Sequence, residues 1–124
     1  MKFYDEAHEQ SYIALMQRMG VTERDVYRAA LAYLITLDRV CREYIDNIYD
    51  FSDRCIVPEC LNEGWQTGTS RKTTLLAFNL FTGHTNWAPE DYAADCTPDY
   101  IFCCSYAPYY WAAIKLRYPE YTGE

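Results

Sequence analysis

The pattern of apolar and polar positions predicts a first helix over residues 5–19. Its apolar side chains recur every three or four residues, at Tyr12, Leu15, Met16 and Met19. The negative charge of Asp5 interacts favourably with the positive end of the helix dipole. Gly20 readily adopts the left-handed conformation that ends many helices. The sequence therefore marks both ends of this element.

A longer apolar stripe follows and predicts the central helix of the fold. The polar residues 22–25, TERD, resemble a capping box. Apolar positions then step by threes and fours, at Val26, Ala30, Tyr33, Leu37, Val40, Tyr44 and Ile48. We expect Leu37 and Tyr44 to be buried. A helix of about 25 residues is long for a small domain, so we also expect a kink near Thr36.

The helical pattern stops at residues 50–69, which contain one proline, two glycines and two cysteines. We expect a long irregular loop there, with one short helical turn after Pro58. A further apolar stripe, in RKTTLLAFNLF, predicts the next helix. Ser70 or Thr69 is expected to cap the start of that helix, and Gly83 to end it.

Short helices are expected in the last third of the chain. One is predicted over residues 85–95, and Thr97 with Pro98 forms a favourable start for the next. The segment YYWAAIKLRY continues as a helix until Pro119. No alternating run predicts a strand. The sequence therefore predicts one compact all-α domain over residues 1–124, built on the long central helix.

Composition excludes some classes of function and favours others. The net charge is −7, whereas a protein that binds duplex DNA normally carries positive charge to neutralise phosphates. An acidic protein suits a partner with a basic surface, and 13 tyrosines suit a protein interface as well as a small core. No stretch of 18 apolar residues and no export signal is visible, so we expect a cytoplasmic protein without membrane contact.

The cysteines and histidines offer a weak metal or catalytic signal. In the cytoplasm the six cysteines are expected to be thiols: Cys41, Cys55, Cys60, Cys96, Cys103 and Cys104. The spacing of Cys55 and Cys60 is loose for zinc, and adjacent cysteines on a helix point in different directions. His84 lies in a predicted loop, but the sequence places no thiol beside it. We expect no metal, no cofactor and no catalytic residue, and an enzyme is the less favoured class.

The most informative local feature is GWQTGTSRKTT, at residues 64–74. Its glycines and lysine do not have the spacing of a P-loop. Arg71 and Lys72 nevertheless fall in the first turn of a predicted helix, where the dipole favours acids, so an external anion or internal carboxylates should meet them. The candidate ligand- or partner-binding residues are Trp65, Gln66, Thr67, Thr69, Ser70, Arg71, Lys72, Thr73, His84 and Trp87.

Aromatic side chains near this stretch and near the C-terminus have more than one interpretation. The run YAPYYW, at residues 106–111, fits core packing of the last helices better than an exposed face for a protein partner. Trp65 or Trp87 could instead stack on the base of a small nucleotide, with Arg71 supplying the charge. Packing would stabilise the fold, whereas the other two uses would form a site.

The segments IVPECLN, GWQTGTSRKTT and AFNLFTG together resemble a family of small, uncharacterised bacterial proteins often seen on mobile elements. The resemblance covers most of the chain and is carried by residues 58–83. It implies a domain of unknown function and brings no activity, cofactor or catalytic residue. It also implies a context, because short acidic proteins of mobile elements often inhibit host defence machinery by occupying a basic surface.

These observations favour a non-enzymatic interaction module of a mobile element that inhibits a host defence factor with a basic surface. The alternative is a protein that holds a nucleotide or phosphate at Gly64–Thr74. A contiguous acidic and aromatic face would favour the first hypothesis. A closed pocket lined by Trp65, Arg71 and Lys72 would favour the second, and a thiol within reach of His84 would favour a small enzyme.

Overall fold

The computed structural model describes residues 1–88 and 94–122 and shows a mostly helical chain, which confirms the predicted fold class. Its α-helices are α1 (Glu6–Met19), α2 (Val26–Leu37), α3 (Arg39–Glu43), α4 (Ile45–Ile48), α5 (Gly68–Thr82), α6 (Pro98–Ile101), α7 (Ala107–Arg117) and α8 (Pro119–Thr122). Between them lie the strands β1 (Tyr49–Asp50) and β2 (Cys55–Ile56) and the 3-10 helices Pro58–Asn62 and Ala94–Cys96.

The first helix, α1, begins and ends as its sequence predicts. The Asp5 carboxylate accepts a hydrogen bond from the backbone N–H of His8 at 2.8 Å, which satisfies one free donor of the first turn. Gly20 ends the helix with a φ of 70°, a left-handed conformation in which glycine has no steric penalty. The buried face of α1 consists of His8, Tyr12, Leu15, Met16 and Met19.

The second helix, α2, forms the centre of the fold and is buried from Ala29 to Leu37. It packs against α1, α5 and α7, so these helices share one hydrophobic core with α2 in the middle. Its N-cap is Asp25, the last residue of the predicted capping segment. The Asp25 carboxylate accepts the N–H of Arg28 at 3.1 Å.

The predicted long helix is divided at Asp38, two residues beyond the expected kink at Thr36. The Asp38 backbone is extended, with a ψ of 131°, and its carboxylate accepts the N–H of Cys41 at 3.0 Å to start α3. The Arg42 guanidinium donates to the Thr36 carbonyl at 2.9 Å, one of the acceptors that the end of α2 leaves without a helical donor. Shorter helices therefore replace the single helix that the apolar stripe predicted.

Residues 50–69 are largely irregular, as predicted, and contain two short ordered elements. Strands β1 and β2 form an antiparallel pair of two residues each, too short for an alternating pattern to predict. The predicted turn after Pro58 is the 3-10 helix Pro58–Asn62, which buries Cys60 and Leu61. These contacts attach the segment to the core and place its end beside the start of α5.

Helix α5 starts earlier than its sequence predicts. Its N-cap is Thr67 rather than Ser70 or Thr69, because the Thr67 hydroxyl accepts the N–H of Ser70 at 3.0 Å. Ser70 instead supports the cap from inside the first turn, as described below. Gly83 ends the helix at a φ of 77°, as predicted.

The chain beyond Gly83 lies beside α5 and then forms the last helices. Trp87 packs against Phe78. Of the helix predicted over 85–95, residues 85–88 form bends and turns rather than a helix, and residues 89–93 lie outside the described residues. The described end of that segment is the 3-10 helix Ala94–Cys96. Helices α6 and α7 carry a proline in the first turn, and α7 ends before Pro119 as predicted.

Several findings on the described residues bear on the class of function. None of their helices combines the length and apolar character that a membrane span needs. All six cysteines are free thiols. Within residues 1–88 and 94–122, no group of three or more His, Cys, Asp or Glu side chains is arranged to hold a metal ion.

Candidate functional site

An open groove of about 430 Å³ lies where the 3-10 helix Pro58–Asn62 meets the start of α5. We call it the α5 groove. It is lined by Leu61, Asn62, Glu63, Gln66, Thr67, Gly68 and Arg71. Three residues of the sequence-predicted site, Gln66, Thr67 and Arg71, line it directly. The structure therefore places a concave surface at the stretch that the sequence singled out.

A capping box forms the inner wall of the α5 groove. The Ser70 N–H donates to the Thr67 hydroxyl at 3.0 Å, and the Thr67 N–H donates to the Ser70 hydroxyl oxygen at 2.7 Å. The Ser70 hydroxyl also donates to the Gln66 side-chain oxygen at 2.6 Å, and the Gln66 amide donates to the Cys60 carbonyl at 3.3 Å. These side chains hold the loop in shape and satisfy backbone donors that an anion would otherwise meet.

Arg71 and Lys72 are engaged by groups of the same chain. The Arg71 guanidinium lies 3.6 Å from the Asp95 carboxylate and donates to the Tyr100 hydroxyl at 3.3 Å. The Lys72 ammonium donates to the Cys103 carbonyl at 3.0 Å and lies 4.7 Å from the centre of the Tyr100 ring. The cations that oppose the α5 dipole therefore attach the segment around α6 to the start of α5.

This arrangement predicts that the double substitution Arg71→Ala and Lys72→Ala lowers the free energy of unfolding. We expect a loss of about 1–2 kcal/mol, because a half-buried ion pair and two hydrogen bonds disappear together. Urea denaturation followed by circular dichroism measures it.

The matched control is Arg24→Ala with Arg39→Ala, which removes the same charge from exposed positions and should change stability by no more than about 0.5 kcal/mol. An unchanged or raised stability of the Arg71 and Lys72 variant would contradict the internal role of these cations. It would instead indicate relief of an unfavourable interaction with the helix dipole.

Thr69 and Thr73 lie on the next part of α5 and differ in exposure. The exposed Thr69 contributes its carbonyl, which accepts the Thr73 hydroxyl at 3.0 Å. The Thr73 hydroxyl is fully buried and lies 2.6 Å from the Tyr110 hydroxyl on α7. Burial raises the pKa of Tyr110, so this phenol stays protonated and neutral. Thr73 therefore belongs to the core and joins α5 to α7.

Trp65 stacks on Tyr44 beside the α5 groove. The ring centres are 4.4 Å apart and the rings are nearly parallel, at 4°. Tyr44 was expected in the core and is instead half-buried, because the break at Asp38 takes the later helices out of the line of α2. The indole N–H of Trp65 is buried and has no hydrogen-bond acceptor among the described residues.

His84 is separated from the start of α5 by the length of that helix, whereas Trp87 folds back along it. From Thr67 to His84 the chain rises roughly 20 Å along the axis. Trp87 folds back onto Phe78, donates to the Thr82 hydroxyl at 2.9 Å, and lines a hollow that shares Asn62 with the α5 groove. The structure thus brings Trp87 near the groove and leaves His84 away from it.

The geometry offers little support for nucleophilic catalysis. The hydrogen bonds shown for His84 in the described part of the chain join it to side-chain and backbone groups of Asn79, Thr82, Asn86 and Trp87. Burial raises the pKa of the Cys60 thiol to about 12, and it raises the pKa of the Cys41 thiol as well. Thiols with a raised pKa hold little of the thiolate that a nucleophile requires.

Comparison with known protein families identifies the family to which this chain belongs. A family model described as a family of unknown function, DUF6075, matches residues 1–124. The chain belongs to the DUF6075 family. Searches of the curated proteins and of the solved structures found no match for this DUF6075 member.

The cations of this DUF6075 member are directed mainly at its own backbone and aromatic rings. Side chains that donate to backbone carbonyls are Arg28, Arg42, Arg54, Lys72 and Arg117. Arg18 and Lys2 lie over the rings of Phe51 and Tyr109. Within residues 1–88 and 94–122, four ion pairs join cations to carboxylates. These contacts leave the charges of the cations unchanged, and the net charge of −7 makes the surface predominantly negative.

Carboxylates lie on both segments that contribute the stacked pair of this DUF6075 member, and they are not among the residues that the sequence predicts for the site. Glu43 precedes Tyr44 and Asp46 follows it by two residues; both are exposed and form ion pairs with Arg39 and Arg18. Glu59 and Glu63 belong to the segment that leads to Trp65. The Asn47 amide donates to the Glu63 carboxylate at 3.3 Å, which joins the two segments. We call Glu43, Asp46, Glu59 and Glu63, with the stacked pair, the acidic surface. In the sequence, the high density of Asp and Glu over residues 43–63 is the feature that could have indicated this surface.

Proposed function

We propose that this protein is a non-enzymatic interaction module that binds a partner protein with a basic surface. We further propose that it acts in the cytoplasm as a component of a mobile element, with a host defence factor as the target. The resemblance of residues 58–83 to proteins of mobile elements motivates this context. The acidic surface, whose two segments are joined by the Tyr44–Trp65 stack and the Asn47–Glu63 hydrogen bond, supports the proposal on binding.

The observation that carries the proposal is the stacked pair Tyr44–Trp65 with carboxylates on both contributing segments. Aromatic side chains provide large contact area at low cost in conformational entropy, and surrounding carboxylates select a positively charged partner. The pair is held by its own stacking and by the Asn47–Glu63 hydrogen bond, so little ordering is needed on binding. The stacked pair and the acids on its two segments support the acidic and aromatic face that the interaction hypothesis requires.

The charge balance supports the same partner chemistry. A net charge of −7 gives the protein a negative field. Such a field accelerates encounter with a basic partner, and added salt screens it. We expect affinity for the partner to fall as ionic strength rises.

The second candidate function is the binding of a nucleotide or phosphate in the α5 groove. Gly68 and Arg71 line that groove at a helix start, where backbone N–H groups favour anions. The Glu63 carboxylate lines the same groove and repels anions, and Arg71 already contacts Asp95. The ligand hypothesis required a closed pocket lined by Trp65, Arg71 and Lys72. The α5 groove is open, and of these three residues only Arg71 lines it. The balance of charge therefore favours the partner protein.

A charge-reversal experiment tests the proposal. The surface variant carries Glu43→Lys, Glu59→Lys and Glu63→Lys. The control variant carries Glu6→Lys, Glu9→Lys and Glu120→Lys, three exposed acids outside the acidic surface, so both variants have the same net charge. Tagged wild type and both variants serve as baits in extract of the native host, and retained proteins are identified by mass spectrometry.

We expect a basic protein that wild type and the control variant retain and the surface variant loses. With that partner purified, the surface variant should bind at least about tenfold more weakly, or 1.4 kcal/mol, and the wild-type affinity should fall with salt. Equal retention by the surface variant would contradict the proposal. A melting temperature raised by phosphate or nucleotides in wild type, but not in Arg71→Ala, would instead favour the ligand function.

A further inference from the structure

A second concave surface lies on α7, where the N-terminal residues pack against it. This α7 groove has a volume of about 370 Å³, and its lining includes Met1, Lys2, Pro108, Trp111, Lys115 and Leu116. It shares no lining residue with the α5 groove. It is therefore independent of the proposed function at the acidic surface.

Large apolar side chains that are exposed to solvent lie at the α7 groove. Trp111 is 49% exposed and Met1 is 59% exposed, and the half-exposed Tyr4 lies on the adjoining N-terminal residues. Scattered exposed hydrophobic residues are normal in proteins, but a contiguous cluster around a concavity is characteristic of a binding surface. Trp111 lies on a helix, so its position is fixed by a rigid element.

The N-terminal wall of the groove is held in place by several contacts. The Tyr4 ring packs edge-on against Tyr106 and Tyr109, with ring centres 5.5 and 5.4 Å apart. The Tyr4 N–H donates to the buried His8 ring at 3.0 Å, and the Tyr33 hydroxyl donates to the Lys2 carbonyl. The groove is thus formed before any partner arrives, which lowers the entropic cost of binding.

The charge of the α7 groove is opposite to that of the molecule. The charged residues that line it are lysines, Lys2 and Lys115, and no carboxylate of the described residues lines it. The Lys2 ammonium lies 5.2 Å from the centre of the Tyr109 ring, a contact that leaves its positive charge intact. A chain of net charge −7 therefore presents an apolar concavity with a positive border here.

We propose that the α7 groove binds a peptide segment of a partner protein that carries apolar anchor residues flanked by Asp or Glu. The apolar anchors would fill the space beside Trp111, and the flanking carboxylates would meet the lysines. A concavity suits a peptide better than it suits the flat surface of a membrane.

Selection of peptides on the intact protein tests this proposal. A phage-displayed library of random 16-residue peptides is selected on wild type, after removal of phage that bind the Trp111→Ser variant. Enriched peptides are synthesised with a fluorescent label, and their affinities for purified variants are measured by anisotropy. The variants are Trp111→Ser, the charge reversal Lys2→Glu with Lys115→Glu, and the control Ile13→Ser, which alters a residue of α1 with the same 49% exposure.

The expected result is an enriched set of sequences that combine apolar residues with Asp or Glu. These peptides should bind wild type and Ile13→Ser equally, and bind both groove variants at least tenfold more weakly. Circular dichroism confirms that each variant is folded. No enrichment, a basic consensus, or equal binding to the groove variants would each overturn the proposal.

Two further measurements distinguish the other occupants. Sedimentation of wild type with vesicles that contain phosphatidylserine, lost in the groove variants, would identify a lipid surface and overturn the proposal. A concentration-dependent dimer that Trp111→Ser abolishes would identify a second copy of the chain and overturn it as well. Neither result would bear on the acidic surface, because the two surfaces are tested with different variants.

Discussion

The substitution Leu37→Ala is expected to lower the free energy of unfolding by about 2–5 kcal/mol. Leu37 is the last residue of α2 and is 1% exposed within the core that α2 shares with its neighbouring helices. Removal of its side chain loses apolar burial and leaves a cavity that a closely packed core fills only in part. Urea denaturation of the purified variant measures the loss.

The control for this prediction is Ile13→Ala. Ile13 is 49% exposed on α1, so its truncation should change stability by no more than about 0.5 kcal/mol. An unchanged urea midpoint for Leu37→Ala, at equal slope, would show that the α2 face is assigned incorrectly.

The stability of the protein is expected to fall as the pH decreases below about 6.5, because of His8. This side chain is fully buried, its Nδ1 accepts the Tyr4 N–H at 3.0 Å, and its Nε2 lies 2.8 Å from the Tyr33 carbonyl. Nδ1 must therefore carry no proton, and Nε2–H donates to the carbonyl. Burial lowers the pKa of His8 from 6.5, assisted by Arg42, while the Tyr33 carbonyl and Asp5 oppose the shift.

The sign of the effect follows from proton binding. Above pH 6.5 the imidazole is neutral in both folded and unfolded chains, and the full stability is present. Below pH 6.5 the unfolded chain takes up a proton that the folded chain does not. The free energy of unfolding then falls by up to about 1.4 kcal/mol per pH unit until the pH reaches the lowered pKa of the folded state.

This effect is measured by urea denaturation of wild type and His8→Gln between pH 7.5 and 4.5. That range spans about three pH units around the usual histidine pKa. Glutamine can donate and accept hydrogen bonds but does not titrate here. The difference between the two proteins should therefore shrink as the pH falls, because other groups contribute equally to both. A difference that stays constant would contradict the prediction. His84→Gln, at an exposed ring, is the matched control and should behave as wild type.

Helix ends with local signals were predictable from the sequence. Asp5, Gly20 and Gly83 act through their own backbone or their nearest turn, so their residue types alone predict the caps that the structure shows. The start of α5 was predicted less well. Thr67, Thr69 and Ser70 can all cap a helix, and the choice depends on Ser70 bonding back to Thr67 in three dimensions.

The break at Asp38 shows why apolar spacing alone overestimates helix length. The stripe continues in register across Asp38, since α3 and α4 reuse the same apolar periodicity on a new axis. What decides the break is a pair of polar contacts, the Asp38 cap to Cys41 and the Arg42 bond to Thr36. Such contacts compete with continuous helix and are invisible to a count of apolar positions.

The groove beside α5 lies at the segment that the sequence predicts, but the contacts of its cations were not predictable. The partners of Arg71 and Lys72 lie far along the chain, at Asp95, Tyr100 and Cys103. The acidic surface is assembled from two segments that meet only after α3 and α4 leave the line of α2. Contacts between distant segments carry no local signal, so Tyr44 was assigned to the core.

Two of the three tryptophans provide a fluorescent reporter at the proposed binding surfaces, Trp65 at the acidic surface and Trp111 at the α7 groove. Trp65 lies on Tyr44 with a buried N–H that has no acceptor in the described structure, Trp87 donates to Thr82 and the His84 carbonyl, and Trp111 is half in solvent. Indoles in such different surroundings emit at different wavelengths. A variant that keeps only Trp65 would therefore report occupancy of the acidic surface, and a variant that keeps only Trp111 would report occupancy of the α7 groove, both without an added label.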